Sequence, residues 1–123
     1  MNQKDDSALA IINAFNAAFN RHDLDALMTL MTTDCVFENT SPPPDGTRFE
    51  GREAVRAAFE SIFATSPRLT FHYEETIVLG ERGYVRWVYQ WDNGPNDRGH
   101  IRGVDLFRLR DGRIAEKLSY VKG

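Results

Sequence analysis

The sequence predicts an α+β fold in which three helices pack on one face of a curved, mainly antiparallel sheet. Before Pro67, apolar residues recur at three- and four-residue spacing, the period of a helix with one buried stripe. After Pro67 they alternate, which is the period of half-buried strands. The Asp111-Gly112 pair stands between two such alternating runs, and that dipeptide is the strongest short-range signal for a hairpin. At 123 residues the chain is long enough for one core and too short for two, so residues 1–123 read as a single domain.

The elements follow in order. Ser7 is placed to cap a first helix whose apolar residues Ala8, Ile11, Ile12, Phe15, Ala18 and Phe19 form one stripe. Asp23 opens a short second helix that turns Leu24, Leu27, Met28 and Met31 inward. Cys35 to Asn39 reads as a short strand. Ser41-Pro42-Pro43-Pro44-Asp45-Gly46 is neither helix nor central strand; it is an ordered loop, in position to be a lid over a pocket mouth. Gly51 precedes a third helix with Val55, Ala58, Phe59, Ile62 and Phe63 on one face, and Pro67 ends it. Strands are predicted at Leu69 to Leu79 and at Tyr84 to Trp91, with a turn near Gly80 to Gly83 between them. A polar loop from Asp92 to Gly99 leads to the final hairpin, His100 to Arg110 and Arg113 to Lys122. No internal repeat or low-complexity segment interrupts this order.

Composition excludes several classes of function. The formal charge of −3 is mild and the basic residues are scattered, which argues against a nucleic-acid or anionic-membrane surface. Cys35 is the single cysteine, so there is no disulfide framework and no thiolate cluster for zinc. His22, His72 and His100 lack the spacing of metal ligands, and no metal or cofactor is expected. No phosphate-binding glycine loop, nucleophile elbow or Ser-His-Asp pattern is present. The N-terminus has no basic stretch followed by an apolar run, and a cytoplasmic protein is expected.

Candidate chemistry centres on Asp105. In an extended strand Ile101, Gly103, Asp105, Phe107 and Leu109 share one face, and that face is apolar except for the carboxylate. With a two-residue turn and an unbroken ladder, Arg110 faces Arg113, Phe107 faces Glu116, Asp105 faces Leu118 and Gly103 faces Tyr120. Glu116 and Tyr120 then flank Asp105 on one surface, within reach of its side chain, and Gly103 leaves room for the Tyr120 ring. A carboxyl group between a second carboxylate and an apolar wall is a setting for general acid–base work. A β-bulge between Asp105 and the turn would change this register. The competing reading has Asp105 accepting hydrogen bonds from backbone or Tyr and simply holding the sheet together.

The preceding strand puts Val85, Trp87, Tyr89 and Trp91 on one face, either to fill a core or to line a pocket for an apolar ligand. Asn39 shares a face with Cys35 and Phe37; it would orient a ligand carbonyl or a water, or else start the turn that follows. Asp105, Glu116, Tyr120 and Asn39 are thus the catalytic candidates. Phe15, Phe19, Phe37, Trp87, Tyr89 and Trp91, with Gly103, Phe107 and Leu118, are the candidates for lining the pocket. Arg86, Arg102 and Arg108, with Val88, Val104 and Leu106, have the opposite parity and suit a face that meets a second subunit, so a homodimer is expected.

Three segments carry a family resemblance: Phe15-Asn16-Ala17-Ala18-Phe19-Asn20-Arg21-His22-Asp23-Leu24-Asp25-Ala26-Leu27, Cys35-Val36-Phe37-Glu38-Asn39, and Gly103-Val104-Asp105-Leu106-Phe107-Arg108 continuing into Asp111-Gly112-Arg113-Ile114-Ala115-Glu116. With them the chain resembles a SnoaL-like protein of the nuclear transport factor 2-like superfamily, which also holds ketosteroid isomerases, polyketide cyclases and limonene epoxide hydrolases. The resemblance implies a cone-shaped α+β barrel, three N-terminal helices on a strongly curved sheet, a pocket between them, and dimers packed through the sheet. It also implies that Asp105 matches the position from which the steroid isomerases supply a protonated carboxyl to an oxyanion hole. Their general base falls on Asn39 here, and their oxyanion phenol falls on Phe15. The epoxide hydrolases need an Asp-Arg-Asp set, and no Arg of the right parity lies beside Asp105. The polyketide cyclases use essentially one carboxylic acid in an apolar pocket, which these residues contradict least. The expected function is acid–base chemistry of isomerase, cyclase or hydratase type on a small, apolar, carbonyl-bearing molecule. The alternatives are a non-catalytic hydrophobic-ligand-binding protein and a dimeric protein-interaction module.

Overall fold

A computed structural model describes residues 3–123 of the protein. Helix α1 spans Gln3–Asn20, α2 spans Leu24–Thr29 and α3 spans Arg52–Thr65; the strands are β1 (Met31–Glu38), β2 (Arg48–Glu50), β3 (Thr70–Leu79), β4 (Arg82–Asp92), β5 (Arg98–Arg110) and β6 (Arg113–Val121). Helix α1 starts upstream of the expected cap, so Ser7 lies inside it. Asp5 and Asp6 occupy its first turn, where negative charge complements the helix dipole. Asp5 also accepts a hydrogen bond from the Gly80 N–H at 2.6 Å, tying the helix to the β3–β4 turn. Asp23 caps α2 as expected, accepting from the Ala26 N–H at 3.2 Å. Met31 is not a helical residue: it opens β1, which is longer than the predicted strand. The short strand β2 was not predicted at all; it pairs with β1 at the far side of the Pro-rich loop.

The six strands form one sheet in the order β2-β1-β6-β5-β4-β3. Every pairing is antiparallel except that of β1 with β6. Helix α1 packs on β3, β4 and β6, α3 packs on β1 and β2, and α2 bridges the two helices and β1. All three helices therefore lie in the hollow of a strongly curved, open sheet, the cone-shaped α+β barrel expected.

Aromatic rings fill that hollow. All eight phenylalanines belong to one chain of ring contacts, with Phe15 against Phe19, Phe59 and Phe107 at 6.3, 6.0 and 5.8 Å, and Phe59 against Phe37 at 4.8 Å. Edge-on and tilted pairs of this kind add to the gain from burial. Truncating a fully buried ring such as Phe59 to alanine costs about 3–5 kcal/mol.

One irregularity decides what the sheet presents to the hollow. Asp111 and Gly112 have φ of 53° and 77°, the left-handed pair that a two-residue turn demands, and Arg110 faces Arg113 as expected. Leu109 then faces Ile114, but the next pair is Arg108 with Glu116. Ala115 is the extra residue of a β-bulge, so from there on every residue of β6 sits one position away from its expected partner. Asp105 faces Ser119, Phe107 faces Lys117, and Val104 faces Tyr120. The other neighbour of β6, β1, is irregular at the same place: its pairing with β6 shifts between Met31 and Val36, and the Ile114 N–H bonds to the Leu30 carbonyl at 2.8 Å. Bending β6 inward at this point buries Ile114 and Ala115 together.

Candidate functional site

The bulge brings Lys117 and Ser119, rather than Glu116 and Tyr120, to the side of Asp105. Ser119 Oγ donates to Asp105 Oδ1 at 2.7 Å. Lys117 Nζ lies 3.4 Å from Asp105 Oδ2 and donates to Ser119 Oγ at 3.2 Å. The three groups close a small polar cluster. The Lys117 ammonium also stands against two ring faces, 5.3 Å from the Phe19 centroid and 4.9 Å from that of Phe37. Side-chain exposure is only 8% for Lys117 and 5% for Asp105, so the pair is held out of bulk water.

This cluster lines a cavity of about 170 Å³ between the helices and the sheet. Phe19 and Ile62 line it from the helical side, and Phe37, Phe71, Trp87 and Tyr89 line it from the sheet. Asn39, Thr40, Ser66, Leu69 and Ile101 complete the lining. Trp87 Nε1 is buried and has no hydrogen-bond partner among the described residues. Tyr73 lies close enough to feel the cluster. Burial, and after it the negative charge of Asp105, pushes its phenol far above the usual range, so it stays protonated; its hydroxyl donates to the Asn16 carbonyl at 3.4 Å.

The other predicted site residues fall elsewhere. Glu116 lies on the outer face of the sheet, ion-paired with Arg108 at 3.2 Å. Tyr120 is exposed on that face, and Leu118 faces Leu106 there. The bulge moved all three. Phe15 and Phe107 are fully enclosed core residues and do not reach the cavity lining. Trp91 borders a separate surface hollow with Thr65 and Asn93. Gly103 does make room for a ring, but the ring belongs to Trp87: a Cβ at position 103 would run into the Trp87 indole and the Tyr120 carbonyl. Asn39 borders the cavity, and its Oδ1 accepts from the Ser41 and Thr47 N–H groups at 3.2 and 2.8 Å. That is the turn-starting reading, and it fixes the Pro-rich loop. Gly46 is required in this loop, since with φ of 72° any side chain there would collide with the Asn39 carbonyl. Pro42, Pro43 and Pro44 stand outside the cavity lining.

Sequence reasoning missed Lys117 and Ser119 because alternation pointed the wrong way. An unbroken ladder turns Leu118 and Tyr120 inward, and those are the more apolar side chains. The available signal was the adjacent apolar pair Ile114-Ala115, which breaks strict alternation where a bulge would sit. Cys35 is buried in the core, and burial pushes its thiol pKa up, which suits a packing role. Among the described residues no group of three or more His, Cys, Asp or Glu side chains is arranged to hold a metal ion. No helix among the described residues is long and apolar enough to cross a membrane.

A family model for the SnoaL-like domain matches residues 12–117, a span that includes Asp105 and Lys117. The chain belongs to the SnoaL-like family. Among solved structures, a nuclear transport factor 2-like protein of unknown function from Mesorhizobium loti is 41% identical, with a TM-score of 0.86 over 100% of this chain and 97% of its own. A candidate SnoaL-like polyketide cyclase from Jannaschia sp. CCS1 superposes with a TM-score of 0.85 at 20% identity, over 99% of this chain and 90% of its own. TerC, co-crystallised with polyporic acid, shares the fold at 16% identity, with a TM-score of 0.78 over 94% of this chain and 92% of its own. No curated protein matches the sequence. Membership of the family suggests a ligand-binding or cyclase-type function.

Proposed function

We propose that this SnoaL-like protein takes a small, apolar, carbonyl-bearing molecule into the cavity and moves a proton on it. One observation carries the reading: a hydrogen-bonded carboxylate–ammonium pair sits in a cavity whose lining is mostly aromatic and aliphatic. The walls take the ligand's hydrocarbon part, and water has little access to the reacting end. A ligand carbonyl oxygen accepts from Lys117 Nζ, which stabilises the negative charge that develops there when the adjacent carbon loses a proton. Asp105 is the proton acceptor, with Ser119 holding Oδ1 so that Oδ2 is the reacting oxygen. Returning the proton elsewhere on the ligand gives isomerisation, and attack of the carbanion on a second carbonyl gives ring closure. The cyclase assignment of a structural neighbour and the polyporic acid bound to another are consistent with this chemistry.

Deuterium exchange at the carbon next to the carbonyl of monocyclic ketones, followed by NMR, tests the reading without knowledge of the natural substrate. The protein should accelerate exchange, and Asp105→Asn should lower the rate by on the order of a hundredfold or more. Ligand-induced change in Trp87 fluorescence with no exchange would favour the non-catalytic binding protein instead.

A second copy of the chain is the proposed partner. Ile77, Tyr84 and Tyr120 are each about half exposed on the outer face of the sheet, in the pairing rows of Leu106, Leu118 and Val104. Arg102 with Glu74 and Arg108 with Glu116 put both signs of charge among them, as a self-complementary two-fold contact needs. Light scattering should give a dimer mass that Tyr84→Glu reduces to that of the monomer.

A further inference from the structure

We propose that Lys117 is a nucleophile that forms an imine with the carbonyl carbon of a single-ring aldehyde or ketone. The inference rests on the carbonyl-binding reading above and adds a covalent step to it. Three observations carry it. Of the 15 basic residues in the sequence only Lys4, Lys117 and Lys122 are lysines, the other twelve being arginines. Yet the buried cation among the described residues is a lysine. A buried ion pair kept for structure alone is better served by the rigid, bidentate guanidinium, whereas a lysine is the basic side chain that can give up its proton and attack carbon. Second, Lys117 Nζ lines the cavity, its approach bounded by the faces of Phe19 and Phe37. Third, imine formation needs a proton acceptor and then a proton donor beside the amine, and Asp105 Oδ2 is 3.4 Å away.

The step balances with no added reagent. Lys117 passes a proton to Asp105, and its lone pair forms the C–N bond while the carbonyl π electrons move to oxygen. The nitrogen gives a second proton to that oxygen, which leaves a neutral carbinolamine. The nitrogen lone pair then forms the C=N bond as the C–O bond breaks, and Asp105 returns its proton to the departing hydroxyl, so one water leaves and the product is the protonated imine beside the Asp105 carboxylate. The protonated imine is a stronger electron sink than the free carbonyl, so the neighbouring carbon loses its proton more readily. Size sets the ligand class. An apolar cavity of roughly 150 Å³ takes up benzene, and this one measures about 170 Å³. A benzaldehyde-sized molecule fits.

Borohydride trapping tests the proposal. The intact protein is incubated with benzaldehyde or acetophenone, reduced with sodium cyanoborohydride, and mapped by peptide mass spectrometry. One adduct per chain is expected, on Lys117; Lys4→Arg and Lys122→Arg leave it unchanged, Lys117→Arg removes it, and Asp105→Asn slows it by on the order of a hundredfold. Adducts spread over Lys4, Lys122 and the α-amino group, with Lys117 unmodified in the wild-type protein, would overturn the proposal. That map needs no variant, so it decides even if Lys117→Arg does not fold. Loss of the adduct together with a persisting benzaldehyde-induced change in tryptophan fluorescence would overturn the imine and leave the carbonyl-binding reading standing. Absence of both would overturn both.

Discussion

Lys117 meets Asp105 on the inner face of the β5–β6 hairpin, and Arg108 meets Glu116 on the outer face, so adjacent residues of β6 carry the two pairs. Their separations are alike, at 3.4 and 3.2 Å. Their surroundings are not. The outer pair stays in contact with water, which screens it and leaves a modest stabilisation. The inner pair has given up most of its hydration, and in that setting an ion pair gains little over apolar residues of the same volume while a broken one is severe. An arrangement that stabilises so little and depends so strongly on both partners is better explained by what it does to a ligand than by what it does for the fold. The bulge at Ala115 is what separates the two cases, because it decides which of Glu116 and Lys117 turns inward.

The largest expected effect sets the two faces against each other. Lys117→Met leaves the Asp105 carboxylate buried without its partner and should cost about 3–5 kcal/mol in urea unfolding. Arg108→Met should cost less than about 1 kcal/mol in the same measurement. Equal losses would mean that the two environments do not differ as described. The next effect concerns the close approach of Trp87 to β5. Gly103→Ala forces a methyl group onto the indole and should lower stability by about 1–3 kcal/mol, read as a drop in thermal midpoint with a shifted tryptophan emission.

A smaller effect lies at the turn end of the hairpin. Arg110 donates to both carboxylate oxygens of Asp34, with Nη1 at 3.1 Å from Oδ2, and these bonds hold the Asp34 pKa at about 2, below its ordinary 3.8. Because the folded value is the lower one, whatever this contact contributes is complete above the ordinary value and is lost as pH falls toward 2. NMR titration of the Asp34 carboxyl should show the lowered midpoint, and Arg110→Gln should raise it toward the ordinary value. The smallest effect is chemical: the buried Cys35 thiol should react with a disulfide reagent only on the timescale of unfolding.

Most of the fold could be read in the sequence because it follows from local periodicity. The stripes of α1 and α3, the Asp23 cap and the Asp111-Gly112 turn each depend on residues close together in the chain. The site depended on register, which is not local. Asp105 was found because its own strand alternates cleanly, and Phe19, Phe37, Trp87 and Tyr89 were found because aromatic residues at matching parity converge on one hollow. Lys117 was missed because its orientation depends on the bulge at Ala115, where β6 also pairs irregularly with β1, a strand beside it in the sheet and far from it in sequence. Glu116 and Tyr120 were displaced by the same shift. Asn39 had two readings of equal standing, and the hydrogen bonds to Ser41 and Thr47 give the turn-forming one a structural basis.

The measurement that bears most directly on the central claim is a double-mutant cycle on Asp105 and Lys117, using Asp105→Asn, Lys117→Met and the double variant in urea unfolding. If the bulge holds the two side chains together in the cavity, each single change is costly, the double variant recovers part of the loss, and the coupling energy is about 2–3 kcal/mol. If the two losses add to within about 0.5 kcal/mol, Lys117 and Asp105 do not act as a pair and the site described here is wrong.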